Sequence, residues 1–158
     1  MQPHGLSVIG GALALCAGLA SPFALAADAH SHGHGRGAAT LQLDHGRKWA
    51  TDEPLRRGMT AIRAIVQGSP AALHKATANP EAYAPVGQRI EAEVGRIVAE
   101  CKLPPAADAQ LHLLIAEIVA GADAMKGAKS AAAGRYGLVK VDTALRTYAR
   151  YFDPPGWK

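Results

Sequence analysis

The sequence predicts an all-α protein, an up-down-up-down antiparallel four-helix bundle, and three observations carry that expectation. Apolar residues recur at spacings of three and four in four separate segments. Proline, glycine and serine punctuate the chain between those segments. No stretch alternates apolar and polar residues at the period of two that a half-buried strand requires.

The first helix is expected to open at Thr51 as N-cap, with Asp52 and Glu53 at the positive end of the helix and Pro54 in its first turn. Leu55, Met59, Ile62 and Val66 fall on one face, and Gly68-Ser69-Pro70 ends the run. A short helical turn over residues 70–75 precedes a second break at Asn79-Pro80. The second helix is expected over residues 81–102, its regular part starting near Pro85, because proline is tolerated only close to a helix start. Tyr83, Ile90, Val94, Ile97 and Cys101 make its stripe, with Glu91, Glu93, Arg96 and Glu100 largely off it. Pro104-Pro105 stops it. The third helix covers residues 106–126 and turns Leu111, Ile115, Ile118, Ala122 and Met125 inward, with Gly127 as its C-terminal cap. Ser130 caps the fourth helix, whose stripe is Leu138, Val141, Leu145, Tyr148 and Phe152, and Asp153-Pro154-Pro155-Gly156 closes it.

The bundle so defined occupies residues 49–158 of the 158, one domain's worth of chain. Residues 1–26 read as a cleaved secretory signal peptide: an apolar run from Leu6 to Ala20, a break at Ser21-Pro22, then small residues for a peptidase. The run is shorter than the roughly 20 apolar residues of a membrane span, so no stable membrane insertion is expected after cleavage. The expected location is the periplasm. Residues 27–48 form a His-rich flexible tail and a transition that packs loosely against the domain. Residues 1–26 hold no Lys, Arg, Asp or Glu, so the formal charge of +4 belongs to the mature part. It is spread along the helices without a basic block, which argues against nucleic-acid binding.

Candidate chemistry gathers in two places. His30, His32 and His34 alternate with small residues, so a mobile segment can fold several imidazoles around one ion. The small-x-small pattern puts cleavage after Ala26. Cleavage after Ala27 instead would leave Asp28-Ala29-His30 at the amino terminus, a square-planar nitrogen set suited to Cu(II) or Ni(II). Within the bundle, the topology brings Met59, Cys101 and His112 to one end, together with Tyr148 and Tyr151. A thioether, a thiol and an imidazole are ligands for Cu(I). The bland alternatives are a packing methionine, a buried thiol and an exposed histidine. No nucleophile stands beside an oriented base, so no enzymatic activity is expected.

Two stretches carry a resemblance. Pro54-Leu-Arg-Arg-Gly-Met59-Thr-Ala-Ile62, and more weakly Leu145-Arg-Thr-Tyr-Ala-Arg-Tyr-Phe152, resemble the small periplasmic four-helix bundles of the soluble cytochrome b and cytochrome c-prime type. Most of residues 50–152 shares that architecture. The resemblance implies Met59 as an axial heme ligand. The family's late helix-four histidine is replaced by Tyr148, Ala149 and Arg150, and no Cys-x-x-Cys-His occurs, which leaves Met59 with His112 as the heme alternative. The leading expectation is a non-enzymatic periplasmic metal-binding protein with copper as its ion. The alternatives are a heme-binding electron-transfer bundle, or a cofactor-free bundle that contacts another periplasmic protein through Trp49, Trp157 and the tail.

Overall fold

The computed structural model describes residues 40–157, and the apolar stripes decide where its helices lie. The protein is all-α: five helices and no strand among the described residues. The first, α1 (Glu53–Gln67), buries Leu55, Met59, Ile62 and Val66, the face expected from their spacing. Its N-cap is Asp52 rather than Thr51. The Asp52 carboxylate accepts a hydrogen bond from the Leu55 amide at 2.9 Å. Thr51 is drawn elsewhere, its hydroxyl donating to the Asp153 carbonyl at 3.2 Å. Gly68 closes α1, and the short α2 (Ala71–His74) follows.

The end of α2 is a Schellman turn, in which the amide of Thr77 donates to the Ala72 carbonyl and that of Ala76 to the Leu73 carbonyl. Ala76 holds the left-handed position at φ 55°, a place that glycine usually takes. A 3-10 turn (Pro80–Tyr83), capped by the Asn79 side chain, leads into α3 (Ala84–Glu100) with Pro85 in its first turn. The chain leaves the helix at Cys101, whose backbone is extended (φ −68°, ψ 137°), so α3 ends at Glu100, two residues before the expected end at Lys102. Next come α4 (Pro105–Lys126) and α5 (Ala131–Tyr151), the latter capped by Ser130, which accepts from the Ala133 amide.

One core runs through α1, α3, α4 and α5, which touch in the pairs α1 with α3, α3 with α4, α4 with α5, and α5 with α1. Each wholly buried leucine or isoleucine in it contributes about 1.5–3 kcal/mol. Leu114 lies in this core at 1% exposure, while Ile115, the expected inward residue, packs at its margin. The helices α4 and α5 approach closely through glycine. A Cβ on Gly137 would stand 2.5 Å from the Gly121 carbonyl oxygen, and one on Gly121 would stand 2.8 Å from that of Gly137. The Tyr83 ring covers Gly134, and its hydroxyl donates to the Leu73 carbonyl at 2.8 Å, tying α2 to the core.

Residues 40–52 form a strap, more firmly held than the loose transition expected. A tight turn brings Asp44 and Arg47 into reciprocal hydrogen bonds of 2.8 Å, with His45 and Gly46 at positive φ, as a hairpin turn of the primed type requires. The Gln42 amide donates to the Gln110 side chain on α4 at 2.8 Å. The Trp49 amide donates to the Tyr151 carbonyl, the Asp153 amide donates to the Trp49 carbonyl, and the Trp49 indole N–H returns to the Gln42 carbonyl. These bonds fasten the strap across the end of α5.

Candidate functional site

The residues singled out from the sequence separate into three environments. His30, His32 and His34 lie outside the described residues. Met59 is wholly buried in the core, at 0% exposure. Cys101 and His112 meet on one surface cleft of about 270 Å³, formed where α3 ends and α4 begins. Ile97, Val98, Leu111 and Ile115 supply its apolar walls, and Asp108 joins the two expected residues. Met59 does not line this cleft, so the structure brings together the thiol and the imidazole but not the thioether.

Local sequence explains how each group arrives. Leu103 precedes Pro104, a position that favours extended backbone, and Cys101 already leaves the helix with its side chain at the cleft. Asp108 and His112 stand one turn apart on α4, where side chains four residues apart are neighbours. His112 Nδ1 is 2.9 Å from the Asp108 carbonyl oxygen and 3.4 Å from its carboxylate. A carbonyl only accepts, so Nδ1 carries the hydrogen and the lone pair of the neutral ring sits on Nε2. The His112 side chain is 67% exposed and reaches solvent.

Cys101 is held from the other side. Its thiol donates to Asp52 Oδ1 at 3.5 Å, and the Lys102 amide donates to Asp52 Oδ2 at 2.7 Å. With the Leu55 amide, three donors, one in α1 and two just past the end of α3, converge on one carboxylate. Partial burial works to raise the pKa of Asp52, but the bonds from Lys102, Leu55 and Cys101 and the charge of Arg56 outweigh it, and the result lies below the usual carboxylate value. The thiol moves the opposite way. Burial, the charge and hydrogen bond of Asp52, and the charge of Asp108 push Cys101 up to about 12, against a smaller pull from the Leu103 amide. Cys101 is therefore a protonated thiol at neutral pH in the free protein, not an activated nucleophile.

Tyr148 completes this end of the domain. It is wholly buried, and its hydroxyl has no hydrogen-bond partner among the described residues. Its ring stacks on Phe152 and meets Trp157 edge-on, with centroids 5.3 and 5.2 Å apart. Burial raises its pKa well above the usual phenol value, and the fields of Arg56, Cys101 and Asp52 all reach it.

Sequence reasoning passed over Asp108 and the long reach of Asp52. The four-residue spacing of Asp108 and His112 was the available signal for the first; nothing local announces the second. Other clefts have a different character. Those along α1 and α3 and beside Trp157 are lined by arginines, Arg89 and Arg96 in one and Arg63 and Arg146 in the other. Among the described residues no three His, Cys, Asp or Glu side chains converge as a metal-holding group. No family model, curated protein or solved structure matches the chain.

Proposed function

We propose that this chain is an exported, non-enzymatic metal-binding protein whose ion is copper, built on an up-down-up-down antiparallel four-helix bundle. The bundle reading is supported by which residues meet: Asp52 at the start of α1 with Lys102 after the end of α3, Gly87 early in α3 with Ala122 late in α4, and Gly121 late in α4 with Gly137 early in α5. Export to the periplasm rests on the reading of residues 1–26. The observation that carries the metal reading is the meeting of Cys101 and His112, from two helices, on one cleft. Thiol sulfur and imidazole nitrogen are the donor pair that prefers copper over hard cations. The tail residues His30, His32 and His34 add a separate imidazole-rich segment for capture. Because Cys101 is protonated in the free protein, an ion that binds its sulfur has to displace that proton.

Copper titration of the mature protein, with and without residues 27–39, tests this reading. Binding tighter than about micromolar, a free energy near −8 kcal/mol, is expected for the intact chain. Weaker binding by both forms would reject it.

A further inference from the structure

The geometry points to a two-ligand Cu(I) site in the cleft between the end of α3 and the start of α4, with Cys101 and His112 Nε2 as ligands and Asp108 as the residue that positions the imidazole. This inference rests on the copper reading above and names the oxidation state and the ligand set.

Four observations lead to it. First, Cys101 and His112 line the same cleft and arrive from different helices, so both backbones are fixed independently of any ion. Second, His112 Nδ1 is tied to Asp108, 2.9 Å from its carbonyl and 3.4 Å from its carboxylate. A metal-binding imidazole typically gives its second ring N–H to a carbonyl or carboxylate, which fixes the tautomer and leaves the other nitrogen to the ion. Third, the walls are Ile97, Val98, Leu111 and Ile115. A thiolate and a monovalent copper ion together are neutral, which suits an apolar wall better than a complex that keeps a net charge. Fourth, the described residues offer no convergent set of three such ligands, whereas structural zinc is almost always held by four. A soft monovalent ion satisfied by sulfur and nitrogen is the class that fits.

Loading is a simple exchange. The Cys101 thiol proton leaves to solvent, a copper–sulfur bond forms in its place, and His112 donates its free lone pair. No electron is transferred. Asp52 Oδ1 loses the thiol and keeps the Leu55 amide, while Oδ2 keeps the Lys102 amide.

The test uses the full mature chain carrying His30→Ala, His32→Ala and His34→Ala, titrated with Cu(I) against a chromophoric Cu(I) chelator under reducing conditions. One equivalent is expected to bind. Adding Cys101→Ser or His112→Ala should abolish that equivalent, while circular dichroism and melting confirm the fold. Asp108→Asn should keep the stoichiometry and weaken binding by less than about tenfold, because the backbone carbonyl at 2.9 Å still holds His112 Nδ1 and only the carboxylate charge at 3.4 Å is lost. Retained binding in the Cys101→Ser chain would overturn the site. So would a tail-silenced chain that no longer binds while the unmodified chain does, an outcome that leaves copper binding in the tail and the broader reading intact. Failure of the unmodified chain to bind would remove both.

Discussion

Asp52 and Lys102 stand 50 residues apart in the chain, yet the Lys102 amide donates a 2.7 Å hydrogen bond to the Asp52 carboxylate. The same carboxylate caps α1 through Leu55 and accepts the Cys101 thiol. Asp52→Ala removes all three at once. An N-cap alone is worth about 1 kcal/mol and each further bond to a charged group adds to it, so the loss expected is about 2–4 kcal/mol. Urea denaturation measures it; a loss below about 0.5 kcal/mol would mean that the carboxylate does not join the two helices.

The pH dependence of this contribution has a definite sign. The Asp52 carboxyl titrates below the usual 3.8 in the folded protein, because its hydrogen bonds and Arg56 outweigh its partial burial. Its stabilisation is therefore complete above the usual carboxylate value and disappears as pH falls through the lower folded value. The advantage of the natural protein over Asp52→Asn should be full at about pH 6 and shrink by about pH 3. Paired urea curves at the two pH values check this, and an advantage that grows on acidification would contradict it.

Glycine to alanine substitution should change sign with position. At Gly95 a Cβ meets nothing within 4 Å, so Gly95→Ala is expected to stabilise α3 by about 0.5–1 kcal/mol through helix propensity. At Gly137 the Cβ would come within 2.5 Å of a carbonyl oxygen, and backbone cannot step aside as a side chain can. Overpacking of this kind costs about 1–3 kcal/mol and more than cancels the propensity gain. Thermal melts of the two variants should move in opposite directions.

Ala76→Gly is expected to stabilise the protein by up to about 1 kcal/mol. Ala76 sits at φ 55° in the Schellman turn after α2, where a Cβ costs about 1–2 kcal/mol that glycine avoids, partly offset by the greater freedom of glycine in the unfolded chain. A lowered urea midpoint would show that the turn does not hold this conformation in solution.

Tyr148→Phe should be neutral or stabilising by up to about 1 kcal/mol, despite lying at the centre of an aromatic cluster. The deletion removes a buried hydroxyl without a partner among the described residues and leaves the ring contacts with Phe152 and Trp157 in place. A loss above about 1 kcal/mol would show that the hydroxyl is satisfied in the folded protein.

How far the sequence spoke for itself depended on whether a feature was local. Leu55, Met59, Ile62 and Val66 mark their face by spacing alone, and all four are buried. Asn79 and Ser130 mark helix starts through their own side chains. On α4 the signal blurs, because Leu113, Leu114 and Ile115 are consecutive and apolar, and spacing cannot rank them; packing against the neighbouring helices chose Leu114. The strap over residues 40–52 has no period to read, and its bonds to Gln110, Ala149 and Tyr151 exist only once α4 and α5 are in place. The candidate site divides the same way. Cys101 and His112 were visible as residue types, and Asp108 by its spacing, whereas the grip of Asp52 on Cys101 depends on two helix ends that only the tertiary fold brings together.

The strap also sets an order of events during synthesis. Trp49 and Thr51 emerge early, but the groups that receive them, Tyr151 and Asp153, follow about a hundred residues later. Until those residues are released from the ribosome, Trp49 has nothing to close upon. The clasp can therefore close only after α5 has been made.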